Sequence, residues 1–183
     1  MRKKKRIIII AVIMAVAAIV IAGILYWNHE NNIKVTNVSK YAEYLGKNGE
    51  YKHHFNYYNA IFPDEIPESA NVEKFYYRYY NPWDPCYLGY LIYTCDEEDY
   101  QKEYKRLKEI KSSENKYIYG AESFPYELCA VHADSYYGYV YALADAENQR
   151  FIYIEIQFCN EFMDIDYEKV IDAKYLPEGF DAK

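Results

Sequence analysis

Glycine is scarce in this chain, seven in 183 residues. None of them builds a phosphate-cradling loop, so nucleotide chemistry lacks the backbone it relies on. No serine-hydrolase elbow is present. The four cysteines, Cys86, Cys95, Cys129 and Cys159, contain no Cys-x-x-Cys pair, which leaves structural zinc without its ligand spacing. Acidic residues are missing from the first 28 positions, and basic clusters are missing after residue 6. A phosphate backbone is held by clustered Lys and Arg, so nucleic acid is not an expected partner. No cofactor and no metal is expected.

What is present begins with Arg2-Lys3-Lys4-Lys5-Arg6, followed by the 21-residue uncharged run Ile7 to Trp27. At about 1.5 Å per residue a helix of that length spans roughly 30 Å, the thickness of a hydrocarbon core. Lys and Arg are retained on the cytoplasmic side. Five of them precede the run, and only Lys34, Lys40 and Lys47 follow it closely. The expected layout is a cytoplasmic basic tail over 1–6, a transmembrane signal-anchor helix over 7–27 in contact with the lipid bilayer, and a tether over 28–36. An extracytoplasmic domain over 37–183 completes the single-pass protein. Tyr26 and Trp27 close the run as rings do at a headgroup boundary.

A cleaved signal peptide is the competing reading, with small residues around Val20-Ile21-Ala22. The hydrophobic run continues past that point through Gly23-Ile24-Leu25-Tyr26-Trp27 without a turn-prone break, which favours retention. No cysteine near its end offers a lipoprotein attachment point.

Beyond residue 28 the chain has 16 basic residues against 28 acidic ones, a net charge of −12, and it holds 24 of the 25 tyrosines. Tyrosine brings large apolar area with a polar tip, which suits a ring-built core or an aromatic binding face. About 150 residues suit one domain, and there is no internal repeat or low-complexity linker.

Periodicity predicts a short helix over Asn37–Lys47, with Val38, Tyr41, Ala42 and Leu45 on one stripe. Phe62 to Ser69 carries two prolines and reads as a loop. A strand follows over Asn71–Tyr80, with Phe75, Tyr77 and Tyr79 on one face and Lys74, Tyr76 and Arg78 on the other. Cys86–Cys95 is apolar on both faces and reads as a central strand, paired with its predecessor as a hairpin. Asp96 caps a helix whose Tyr100, Tyr104, Leu107 and Ile110 form its stripe, up to Lys111. Strands are expected over Tyr126–His132, Tyr136–Ala144 and Arg150–Asn160. In the last, Ile152, Ile154, Ile156 and Phe158 oppose Tyr153, Glu155, Gln157 and Cys159, predicting one covered and one wet or partly covered face. A terminal helix is expected over Asp166–Lys174. The fold class is α+β: one domain with a mainly antiparallel sheet of about five strands and helices packed on one face.

Candidate chemistry is thin. The four cysteines face an oxidising compartment, so Cys86, Cys95, Cys129 and Cys159 are possible disulfide partners. Cys86 with Cys95 is disfavoured because they bracket one strand, while a bridge needs Cα atoms within about 7 Å. Cys129 and His132 stand at i and i+3 on a strand, which points them to opposite faces and argues against a nucleophile–base pair. His53-His54 with Glu50 is the only metal-like cluster, and it reads as a solvated polar stretch. No serine, cysteine or histidine arrangement marks a catalytic centre. The remaining feature is Asn81-Pro82-Trp83-Asp84-Pro85, flanked by Tyr79, Tyr80 and Tyr87, where two prolines stiffen the backbone that displays the only exported Trp. Such rings stack on sugars and dock peptides; alternatively, Trp83 folds back as a lid on the core. The expected function is a non-catalytic interaction module at the cell envelope, binding an envelope protein, a peptide or a glycan through Trp83, Asp84, Tyr79, Tyr80 and Tyr87. The alternative is a small envelope hydrolase using carboxylates.

Overall fold

The computed structural model describes residues 2–46, 49, 60–81, 83–134, 138–159 and 165–182. Helix α1 (Arg2–Glu30) comes first. It is long and apolar enough to cross a bilayer, as membrane anchors and signal sequences both are, and its side chains from Lys4 to Glu30 are exposed. Its end is closed by Asn31, whose backbone N–H and side-chain Nδ2 both donate to the Trp27 carbonyl, at 3.0 and 2.9 Å. One residue later the chain is already in the sheet.

The sheet has six antiparallel strands in the order β1-β2-β3-β6-β5-β4: β1 (Asn32–Val35), β2 (Asn71–Tyr80), β3 (Cys86–Thr94), β4 (Glu127–Asp134), β5 (Gly138–Asp145) and β6 (Arg150–Gln157). Six strands replace the expected five because β1 lies inside the stretch read as a tether. Its four residues pair from Asn32 opposite Tyr80 to Val35 opposite Tyr77. Ile33 and Val35 tuck against the core while Asn32 and Lys34 stay exposed, the period-2 signature compressed into too few residues to stand out.

The hairpin β2–β3 and the central position of β3 are as expected, with every residue of β3 from Cys86 to Tyr93 buried. Between β1 and β2, a 3₁₀ turn at Val38–Lys40 runs into the single-turn helix α2 (Tyr41–Tyr44). Tyr41 and Leu45 are buried as predicted, whereas Val38 and Ala42 are exposed. Helix α3 (Glu97–Glu109) has the predicted cap: the Asp96 carboxylate accepts the Asp99 N–H at 2.9 Å. It buries Tyr100 and Leu107 against the sheet.

Two aromatic cores flank the sheet. One gathers Tyr77, Tyr87, Tyr93, Phe151 and Tyr153 with α2, α3 and Phe62; the other gathers Tyr90, Tyr139, Tyr141 and Ile154 with Tyr167, Ile171 and Tyr175. Both faces are therefore covered, and the wet face expected on β6 does not exist: Tyr153, Glu155 and Gln157 are all buried. The terminal helix is also absent. Asp172 adopts extended backbone (φ −62°, ψ 127°) and splits the segment into 3₁₀ turns at Tyr167–Lys169 and Ala173–Tyr175. The resulting strap lays Tyr167, Ile171 and Tyr175 across the second core instead of coiling.

Candidate functional site

The turn between β2 and β3 is built from the sheet upward. Asn81 leaves β2 donating its backbone N–H to the Asn31 carbonyl at 2.9 Å and its side-chain Nδ2 to the Tyr79 hydroxyl at 3.1 Å. The chain returns through Asp84, whose carbonyl lies 3.5 Å from Cys86 Sγ. Between them Trp83 is 89 % exposed. The lid on the core is thus not its role here. Pro82 lies outside the described residues.

The five residues proposed as one binding face separate. Trp83 and Asp84 are exposed, and Tyr80 is half-buried with the Arg78 guanidinium 5.4 Å from its ring centre. Tyr79 and Tyr87 lie in the first core, their rings 5.1 Å apart, supporting the turn from beneath. Accessibility is what divides them: β2 alternates, so Tyr79 and Tyr80 occupy opposite faces.

A second constellation went unnoticed in the sequence. Glu103 on α3 receives Arg106 Nε and Nη2, each at 2.6 Å, and also the Tyr153 hydroxyl from β6. Tyr93 on β3 meets Tyr153 oxygen to oxygen at 3.1 Å. Arg106 extends the network by donating to the Ala60 and Ile61 carbonyls at 2.6 and 2.8 Å. Burial drives the Tyr153 and Tyr93 phenols well above their ordinary range, so both stay protonated. Burial works against the Arg106 charge, and the hydrogen bond and charge of Glu103 outweigh it. The available signal was the i,i+3 spacing of Glu103 and Arg106 flanking the apolar stripe. Chemically this network is a clamp joining helix, sheet and loop.

The cysteines are free, buried thiols. Burial pushes Cys86 and Cys129 up to about 12 and Cys95 up to about 11, and raises Cys159 as well. Such thiols are poor nucleophiles. Strand alternation does not separate Cys129 from His132, because a bulge between Leu128 and Ala130 places Cys129 and Ala130 in the same core. Cys129 nevertheless sits beneath the surface, while His132 is exposed. Among the described residues no group of three or more His, Cys, Asp or Glu is placed to hold a metal ion. Glu50, His53 and His54 lie outside the described residues. Comparison with protein-family models, characterised proteins and solved structures finds no significant match.

Proposed function

We propose that this chain is a single-pass membrane protein whose exported α+β domain is a non-catalytic interaction module at the cell envelope, held at the outer face of the membrane, with the amino terminus in the cytoplasm. The observation that carries this reading is Trp83. A large apolar ring left 89 % exposed, on a turn tied into the sheet by Asn81 and underpinned by Tyr79 and Tyr87, is the kind of residue that binding surfaces place at their centre. The charge asymmetry across α1 supports a cytoplasmic amino terminus, and the length of its apolar run supports retention as an anchor. The hydrolase alternative calls for a carboxylate raised in a cleft. Glu97 and Glu127, whose shifts are resolved, are both lowered, first by hydrogen bonds from Gln101 and Lys108 respectively.

The test uses the full chain in intact cells, with a photoreactive residue at position 83 and, as control, at the exposed α3 position Lys102. A covalent adduct formed from position 83 and not from 102, on a chain whose intact mass includes α1, is the expected result. No adduct at 83, or release of a chain trimmed of α1, overturns the proposal.

A further inference from the structure

The position of the β2–β3 turn relative to α1 says what Trp83 meets. Only Asn31 separates the last residue of α1, Glu30, from the first residue of β1, Asn32. That residue is bonded in both directions: it donates twice to the Trp27 carbonyl, and its own carbonyl accepts the Asn81 N–H. Asn32 then pairs with Tyr80. The end of α1, the start of β1 and the root of the turn therefore form one hydrogen-bonded unit with no slack between helix and sheet.

With α1 across a bilayer, Tyr26 and Trp27 mark the outer boundary of the hydrocarbon core. The headgroup layer beyond it is about 5–7 Å thick on each side. Asn31 lies about 6 Å of helix rise beyond Trp27, Asn81 stands one hydrogen bond from Asn31, and two further residues of chain reach at most about 7 Å. Because β2 runs antiparallel to β1, with Tyr80 opposite Asn32, the turn lies at the α1 end of the sheet, and Trp83 is within reach of the headgroup layer. Outside α1, the only other large apolar side chains exposed among the described residues are Val38 and Tyr117, at 39 % and 46 % against 89 % for Trp83. Tryptophan is also the side chain that the membrane–water interface favours, its ring buried among acyl carbonyls and its indole N–H still hydrogen-bonded.

We infer that the partner of the β2–β3 turn is the bilayer itself: Trp83 inserts at the headgroup–acyl boundary beside α1 and gives the exported domain a second membrane contact. This rests on the proposed retention of α1 and deepens the proposed role of Trp83 by naming what it binds. The lipid class follows from charge. Asp84 adjoins Trp83, and the chain beyond residue 28 carries a net charge of −12, so zwitterionic headgroups suit the turn and anionic lipid adds nothing. Two attachment points hold the sheet at a fixed tilt to the membrane plane, where a single helix would let it rock.

The chain has two tryptophans, Trp27 and Trp83, so Trp27→Phe leaves Trp83 as the only indole. Trp27 is itself exposed, and Trp27→Tyr serves as an independent background should the first variant misfold. The full chain is placed in phosphatidylcholine nanodiscs with and without lipid brominated near the top of the acyl chain. Trp83→Phe, which leaves Trp27 at the boundary, calibrates the signal. The expected result is that Trp83 emission is blue-shifted, loses most of its intensity to brominated lipid as Trp27 does, and is shielded from aqueous acrylamide. Water-like emission, open to acrylamide and indifferent to brominated lipid, overturns the inference. These nanodiscs contain no envelope protein or glycan, so a water-like Trp83 there together with a protein or glycan adduct from position 83 in cells defeats the lipid assignment alone. Loss of α1 from the mature chain defeats both readings.

Discussion

Replacing Tyr153 with Phe removes one oxygen from the centre of the clamp between α3 and the sheet, and the geometry says what that oxygen is worth. Tyr153 and Tyr93 are each 0 % exposed, so neither hydroxyl can turn to water. Because the Tyr153 proton is committed to Glu103, the Tyr93 hydroxyl is the donor in the 3.1 Å contact between them. Tyr153→Phe therefore deletes a hydrogen bond to a charged acceptor, worth about 1.5–3 kcal/mol, and strands the Tyr93 hydroxyl, which costs about 1 kcal/mol or more. Glu103 keeps both Arg106 bonds, and the ring volume is unchanged, so no cavity term enters. The expected loss is about 3 kcal/mol, which for a domain of this size lowers Tm by about 6–12 °C. Tyr93→Phe leaves the Tyr153–Glu103 bond intact and costs about 1 kcal/mol. The double variant removes the stranded hydroxyl as well, so it is no less stable than Tyr153→Phe alone, the non-additivity expected of groups in one network. Thermal unfolding of the full chain in nanodiscs, followed by near-ultraviolet circular dichroism, measures all three. Additive losses, or a Tyr93→Phe loss as large as that of Tyr153→Phe, would refute the assignment of donors and the isolation of the pair from water.

Gly138→Ala is expected to be the most damaging glycine substitution in the sheet. Gly138 has φ +129°, and a Cβ there would stand 2.6 Å from the Ile156 carbonyl oxygen, adding backbone strain of about 1–3 kcal/mol to a clash with backbone that cannot move aside. Gly89→Ala meets Phe62 and Glu155 at 3.2 Å, an overpacking worth about 1–3 kcal/mol; thermal melts should rank the two in that order. The native thiols should resist iodoacetamide at pH 8 and react in full after denaturation. With Cys86 and Cys129 raised to about 12, their thiolate fraction is about a thousandfold below that of an ordinary cysteine, and rapid native labelling counted by mass spectrometry would contradict their burial. Glu127 is lowered from its ordinary value of 4.5 by hydrogen bonds from Lys108 and Tyr104. Its contribution is therefore present above about pH 4.5 and lost as pH falls through the lower folded value. Glu127→Gln should cost stability at neutral pH and progressively less as pH falls below about 4.5, in urea titrations run across that range.

Much of this fold can be read from residue pattern alone, and the exceptions share a cause. The β2–β3 hairpin, the Asp96 cap and the buried Tyr100 and Leu107 of α3 follow from strong local signals: turn residues, a side-chain cap and a helical stripe. The β6 face of Tyr153, Glu155 and Gln157 misled because polarity along a strand reports exposure only when polar atoms lack internal partners. Here Tyr153 reaches Glu103 and Gln157 reaches Glu155, so polar side chains are satisfied inside and the face is covered. In a chain with 25 tyrosines that ambiguity is general. Tyr77, Tyr87, Tyr90, Tyr93, Tyr139, Tyr141, Tyr153 and Tyr167 are among the largest fully buried side chains, and each reads equally well as an exposed ring. Tyr79 and Tyr87 belong to the core instead of the candidate binding face, where Trp83 and Asp84 are exposed and Tyr80 is half-buried.

The strand missed in the supposed tether bears most directly on function. Asn32 to Val35 is short and half polar, and its pairing partner lies more than 40 positions away, so no local pattern announces it and only tertiary contact makes it a strand. Read as a flexible tether, the segment would let the domain float clear of the membrane, and Trp83 would be free to meet a soluble ligand. Paired with β2, it leaves a single residue between helix and sheet and brings the turn back to the end of α1. The proposal of a membrane contact rather than a ligand hook for the same exposed indole therefore rests on four residues on a different strand. Where the turn sits relative to α1 is set by the pairing of β1 with β2, and that is a property of register across the sheet rather than of the 81–87 sequence itself.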